Sequence, residues 1–172
     1  MKTFILGGMR SGKSRLAERL AHDSALPVTY IATAAAHDGE MAARIAHHRA
    51  SRPAHWPTIE EPLALAAALT RHAAPGRLLL VDCLTLWLTN LLLADDPQRL
   101  ERERAALLAA LPGLPGELLM FSNETGMGIV PLGELTRRYC DEAGRLHQDI
   151  AAQCQRVVLT VAGLPHLLKG SL

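Results

Sequence analysis

Apolar residues along the chain fall into two rhythms. Continuous apolar runs occur at 4–6 (Phe4-Ile5-Leu6), 28–32, 77–82, 117–122 and 156–162, several of them rich in β-branched or aromatic residues. Runs this short and this apolar predict strands buried on both faces, as in a parallel sheet. Between them the apolar residues return every three or four positions. Leu16, Ala17, Leu20 and Ala21 mark a helix over 13–22, ended by Asp23-Ser24-Ala25-Leu26-Pro27. Asp38 is placed to cap a helix over 39–49. Residues 50–57 form a polar, proline-bounded connection, and Glu60 and Glu61 lead into an alanine- and leucine-rich helix over 62–72. Further helices are predicted over 83–93, 98–111 and 132–153, the last interrupted at Gly144. Residues 163–170 read as a short tail or one more edge strand.

Strands alternating with helices predict one α/β domain over 1–172, a mostly parallel sheet flanked by helices. Ligands of such sheets bind outside the carboxyl ends of the strands. That rule gathers residues 7–14, 33–37, Asp82, 123–131 and Gly163 around one cleft.

Composition narrows the class. The 172 residues are 49% hydrophobic and 20% charged, as expected of a globular chain with a core. A formal charge of +1 gives no general attraction to nucleic acid or to membrane surfaces. No apolar run reaches the roughly 18 residues of a membrane span. The short apolar run at 3–6 is too brief for a signal peptide. Three cysteines, Cys83, Cys140 and Cys154, lack zinc-site spacing. They predict reduced thiols in a cytoplasmic protein, serving as small hydrophobes.

The chemistry concentrates at the first strand–helix junction. Gly7, Gly8, Met9, Arg10, Ser11, Gly12, Lys13 and Ser14 match G-x-x-x-x-G-K-S between a strand and a helix, the context of a phosphate-binding loop. Glycines let backbone N–H groups curl around an anion, and the helix turns its positive end to the same charge. Lys13 is placed to reach the β- and γ-phosphates, and Ser14 to hold Mg²⁺. Asp82, ending an apolar strand, is placed to assist with the metal; a helix-capping role is the other reading. No Asn-Lys-x-Asp guanine-reading motif occurs, which argues against a regulatory GTPase.

Two adjacent histidines, His47 and His48, precede Arg49, Ala50, Ser51 and Arg52. On a helix the two rings point about 100° apart, so they do not share one job. Arginines suit phosphate oxygens, and a neutral imidazole is a nucleophile towards phosphorus. A solvated helix end is the plainer reading of the same residues. Glu124 stands at a strand's carboxyl end beside 126–131. It is read there either as the group that orients or deprotonates an acceptor hydroxyl, or as a loop carboxylate bonding backbone amides.

Together these segments resemble a family. Gly7-Gly8-Met9-Arg10-Ser11-Gly12-Lys13-Ser14, Tyr30-Ile31-Ala32-Thr33, Asp38-Gly39-Glu40-Met41, Arg44-Ile45-Ala46-His47-His48-Arg49, Arg52-Pro53-Ala54-His55-Trp56 and Asp82-Cys83-Leu84-Thr85 are similar to the bifunctional adenosylcobinamide kinase / adenosylcobinamide-phosphate guanylyltransferase of cobalamin biosynthesis. Asn123-Glu124-Thr125-Gly126-Met127-Gly128-Ile129-Val130-Pro131 and Ala162-Gly163-Leu164-Pro165 continue the likeness. The resemblance implies a P-loop NTPase-like, RecA-like fold and two reactions. ATP or GTP phosphorylates the aminopropanol hydroxyl of adenosylcobinamide. GTP then gives GMP to adenosylcobinamide phosphate through a guanylylated histidine, matched here by His48. It maps nucleotide contacts onto residues 7–14, Ala32, Thr33, Ala34, Arg49, Ala50, Ser51, Arg52, Glu60 or Glu61, and Asp82, and it implies a homotrimer. Met9 stands where Ala is usual and Thr125 where Val is usual; neither is a charged or nucleophilic position. The rival functions are a P-loop small-molecule kinase without a covalent intermediate, and a nucleotide-binding regulatory module.

Overall fold

The computed structural model describes residues 1–35, 39, 53 and 55–171. The predicted helix over 39–49, apart from Gly39, its Asp38 cap, and residues 50–52 and 54 of the connection lie outside the described residues.

The five continuous apolar runs become parallel strands, and residues 58–60 and 164–169 add two more strands to the sheet. In chain order these are β1 (Lys2–Gly7), β2 (Val28–Ala32), β3 (Thr58–Glu60), β4 (Leu78–Asp82), β5 (Glu117–Asn123), β6 (Arg156–Val161) and β7 (Leu164–Lys169). They form one sheet of seven strands in the order β3-β2-β4-β5-β1-β6-β7. Every pairing is parallel except β6 with β7. Helices α1 (Lys13–Asp23), α2 (Leu65–His72), α3 (Leu84–Leu92), α4 (Arg99–Ala110) and α5 (Glu134–Gln153) join them.

The alternation of side chains explains why the strands read as unbroken apolar runs. Leu78 and Leu80 face one layer with Ile5, Phe121 and Val158, against Leu16, Ala17 and Ala21 of α1. Leu79 and Val81 face the other with Phe4, Leu6 and Met120, against Leu65, Leu84, Trp87, Leu107 and Ile150 from α2 to α5. Both faces are covered, so successive residues are all apolar. Arg104 of α4 ties the outer layer together, pairing with Glu142 at 3.2 Å and Asp149 at 3.5 Å on α5.

Two details differ from the expected pattern. Residues 58–60 form a strand, and α2 begins at Leu65, not at 62. A strand this short carries no readable alternation. The amides of Leu63 and Ala64 bond the Glu61 carboxylate (3.0 and 2.7 Å), a turn that delays the helix. Also, α5 runs through Gly144 without a break. A lone glycine costs about 1 kcal/mol against alanine, too little to interrupt a helix that buries Ala143, Leu146, His147 and Ile150. Residues 164–169 are the edge strand, closing a hairpin on β6.

Trp87 is fully buried and donates its indole N–H to the Leu63 carbonyl at 2.8 Å. Trp87→Phe leaves both a cavity and an unpaired carbonyl. Urea unfolding should show a loss of about 2 kcal/mol with an unchanged slope.

Candidate nucleotide site

The register of the sheet decides what stands at its carboxyl edge. One row runs Glu60, Ala32, Asp82, Phe121, Ile5, Val158. Further along the strands, Gly7 pairs with Asn123 and with Thr160. The loop from Gly8 onward therefore leaves the sheet beside the ends of β5 and β6.

That loop is held from several sides. Ser11 N–H donates to Gly8 O (3.2 Å), and Gly163 N–H, from the β6–β7 turn, donates to Ser11 O (2.8 Å). Arg10 (φ 56°) and Gly12 (φ 94°) are left-handed, a conformation that turns successive amides toward one concavity. A Cβ on Gly12 would lie 2.9 Å from Gly163 Cα, so the close approach itself requires glycine. A Cβ on Gly8 would meet nothing within 4 Å, leaving that side of the loop open. Helix α1 starts at Lys13 with no capping side chain and no acid in its first turn. Its leading amides are thus available to an anion.

Lys13 is 8% exposed and donates from Nζ to Gly8 O at 3.3 Å. Burial pulls its pKa below the ordinary lysine value, against the opposing pull of Cys83 and Asp82 nearby. A phosphate in the loop offers this ammonium charged oxygens in place of one neutral carbonyl. Ser14, half-buried, follows it in the first turn of α1. Asp82 accepts the Tyr30 hydroxyl at Oδ2, and its backbone carbonyl accepts Thr33 N–H at 2.8 Å. The next thiol, Cys83, is pushed up to about 11 by burial, and Cys154 likewise, so neither is a nucleophile at neutral pH.

The second loop of the edge is pinned, not free. Thr33 is fully buried, donating to the carbonyls of Asp82 (3.1 Å) and Cys83 (2.7 Å), while Asn90 donates to Thr33 O (2.7 Å). Its hydroxyl fixes the path of Ala32, Thr33 and Ala34. Glu60 is exposed at the end of β3, and Glu61 holds the turn into α2. His48, Arg49, Ala50, Ser51 and Arg52 lie outside the described residues.

Glu124 stands at the loop. Its N–H donates to Gly7 O at 3.0 Å, while its Oε1 accepts Gly126 N–H at 2.6 Å. The backbone bond expected of a loop carboxylate is therefore present. Its Oε2 is 3.9 Å from His147 Nδ1, and His147 Nε2 is 2.9 Å from Ser122 Oγ. Ser122 in turn meets Thr85 Oγ1 (3.3 Å), which accepts Asn123 N–H (2.7 Å). Burial pulls the His147 pKa down, outweighing the upward pull of Glu124. His147 was not singled out from the sequence. The signal that marks it is a histidine on the buried stripe of α5, where a polar ring must be hydrogen-bonded.

As metal ligands, Ser14 and Asp82 supply the oxygen donors that a hard cation takes. Among the described residues no group of three or more His, Cys, Asp or Glu gathers as a metal site. An ion held chiefly by substrate phosphates needs only one or two protein oxygens.

Two predictions follow from this geometry. Gly12→Ala should weaken GTP binding more than tenfold by calorimetry and lower stability by about 1–3 kcal/mol, since either the turn or the loop must shift. The second concerns acid stability. Because the folded His147 pKa lies below its ordinary value of about 6.5, the unfolded chain binds the extra proton first, and stability falls as pH drops through 6.5. His147→Asn removes that linkage. Its unfolding free energy should decline less between pH 7 and 5 than that of the wild type, by up to about 1.4 kcal/mol per pH unit.

Residues 3–168 match the family model described as cobinamide kinase / cobinamide phosphate guanyltransferase. The chain is 71% identical over 170 residues to the bifunctional adenosylcobalamin biosynthesis protein CobP of Pseudomonas aeruginosa, covering 99% of this chain and 98% of that one. It is 42% identical over 177 residues to the bifunctional adenosylcobalamin biosynthesis protein CobU of Salmonella typhimurium, covering 95% and 97%. Among solved structures, a type III secretion ATPase superposes with a TM-score of 0.56 at 10% identity, covering 92% of this chain and 50% of that one. The RadB recombinase does so at 0.51 and 14%, covering 92% and 73%. These two likenesses show the fold, that of P-loop NTPases with a RecA-like sheet. Matched along nearly all of its length, the chain belongs to the cobinamide kinase / cobinamide phosphate guanyltransferase family.

Proposed function

We propose that this chain carries out both reactions in its family's description, with ATP or GTP as phosphoryl donor and GTP as GMP donor. The observation that carries the reading is the bond from Glu124 N–H to Gly7 O, 3.0 Å, which sets the main chain of an acidic residue beside a phosphate-binding loop. In the first reaction Glu124 takes the proton of the aminopropanol hydroxyl of adenosylcobinamide. The oxygen then bonds to the γ-phosphorus, the bond to the β–γ bridging oxygen breaks, and a nucleoside diphosphate leaves. Lys13 and the amides of Gly8, Met9, Arg10 and Gly12 hold the phosphates and stabilise the developing charge, while Ser11 braces the loop.

In the second reaction a His48 ring nitrogen attacks the α-phosphorus of GTP and pyrophosphate leaves. The phosphate oxygen of adenosylcobinamide phosphate then attacks the guanylyl phosphorus, the imidazole departs, and adenosylcobinamide-GDP is formed. Splitting the transfer avoids bringing two anions together directly. Arg49 and Arg52 neutralise the triphosphate, and Ala32, Thr33, Ala34, Ala50, Ser51 and either Glu60 or Glu61 complete the nucleotide contacts. Ser14 and Asp82 hold Mg²⁺, which when bound neutralises phosphate charge.

We read the protein as a single cytoplasmic domain that assembles as a homotrimer. Among the described residues no helix is long and apolar enough to cross a membrane. Exposed apolar side chains at Met127, Ile129, Val130 and Leu132, and at Val161, Leu164 and Leu168 beside the open sheet edge, suit surfaces covered by other subunits.

The test is labelling with GTP carrying radioactive α-phosphate. Wild type should acquire an acid-labile, base-stable label. His48→Ala should acquire none, yet still phosphorylate adenosylcobinamide. His47→Ala should keep the label, and Lys13→Ala should lose at least about 10²-fold in both reactions. Label on His48→Ala, or full turnover by Lys13→Ala, overturns the assignment.

A further inference from the structure

The side chains beneath Glu124 form a chain of polar contacts that the two reactions as written do not use. His147 lies on α5, 93% buried, with its ring packed against Phe4 of β1 (centroids 5.5 Å apart). One ring nitrogen faces the Glu124 carboxylate and the other the Ser122 hydroxyl. We propose that His147 is a positioning residue for phosphoryl transfer, holding Glu124 Oε2 at the phosphate loop through an Nδ1–H whose tautomer is fixed by Ser122. This deepens the reading of Glu124 as the group that takes the acceptor's proton, and rests on it.

The protons can be placed from chemistry. An ionised carboxylate only accepts, so the nitrogen facing it must carry hydrogen. The ring is neutral, because burial disfavours its charged form. Nε2 is therefore the acceptor, and Ser122 Oγ donates to it across 2.9 Å. Thr85 holds Ser122 from the other side at 3.3 Å and is itself fixed by Asn123 N–H at 2.7 Å. The relay thus starts on the backbone of β5 and ends on the carboxylate.

The other groups around it add no competing charge. Phe4 is apolar, and Tyr139, also on α5, has its hydroxyl pushed up to about 12 by burial and stays a neutral phenol. The remaining Glu124 oxygen, Oε1, is held by Gly126 N–H at 2.6 Å. The 3.9 Å between Nδ1 and Oε2 is longer than a hydrogen bond. The role requires this contact to tighten when substrate binds, as catalytic contacts of this kind commonly do. Without the imidazole, the carboxylate is anchored through Oε1 alone, and Oε2 can turn about that bond into orientations that miss the acceptor hydroxyl.

Two substitutions separate this role from simple packing. Asn places its amide nitrogen where Nδ1 was, and Gln places its own where Nε2 was. His147→Gln should lower kinase kcat by about tenfold to a hundredfold, with the acceptor KM within about twofold. His147→Asn should recover most of that loss. GMP labelling of the protein, which does not use Glu124, should be unchanged in both. In the Glu124→Gln background, His147→Gln should cost nothing further. Ser122→Ala keeps the ring but frees its tautomer; it should lower kcat a fewfold in the same pattern, and it decides the matter if the His147 variants do not fold. An undiminished kcat in His147→Gln, equal losses of kinase and labelling, no advantage of Asn over Gln, or multiplying losses in the double variant overturns the proposal. Glu124→Gln separates the two levels. If its kinase rate is undiminished, the proton-acceptor reading itself is wrong. If it is impaired while His147→Gln is not, only the role of His147 falls.

Discussion

The site depends on parallel register. Asp82 on β4 and Ile5 on β1 lie in one row although β5 separates them, because both are in register with Phe121. Ala32 and Glu60 extend the same row outward. A slip by one residue in any of these pairings would turn that strand's apolar side chains to the wrong face. Since both faces are packed, such slips are excluded twice. The chemistry is thereby set by burial far from it: Leu79 and Val81 against α2 and α3, Leu78 and Leu80 against α1.

The edge is stable as a scaffold and costly as a site. Lys13 is buried as an ammonium ion with one neutral carbonyl bonded to it. Its depressed pKa means that the charge opposes folding at neutral pH, an effect relieved only as pH rises toward the lysine range. The α1 N-terminus has no cap, and Arg10 occupies a left-handed conformation that only glycine adopts readily. Each of these departures from local stability faces the same concavity, as expected where binding energy is recovered from an anion.

Much of this was legible in the residues. The strand–loop–helix at 4–22 announced itself, because a fixed glycine spacing, Lys13 and a helical stripe agree with one another. Long strands such as β4 and β6 were legible for the same reason: a continuous apolar run has few other homes. β3 was not, since Thr58-Ile59-Glu60 is too short to show a period and is defined by its pairing with β2. The true start of α2 was hidden because Glu61 satisfies backbone amides that a helix would otherwise claim. Asp82 was readable by its place at a strand end, whereas its partner Tyr30 reads only as a strand aromatic. His147 depends on a contact between α5 and the end of β5, which no local pattern announces. The histidine pair at 47 and 48 is the opposite case, legible through its motif while lying outside the described residues.

The meeting of the phosphate loop with the β6–β7 turn has an evolutionary consequence. Two glycines, far apart in the chain, share that contact; both are left-handed, at φ +94° and +80°, but they differ in the space around them. At Gly12 there is no room, since a Cβ would sit 2.9 Å from Gly163 Cα. At Gly163 there is room, but φ is +80°. A side chain at 12 therefore has no compensating change at 163, which already carries the smallest residue there is. The pair cannot drift together as two packed side chains can. Any lineage that enlarges position 12 must move main chain, that of the phosphate loop or that of the hairpin at the end of the sheet.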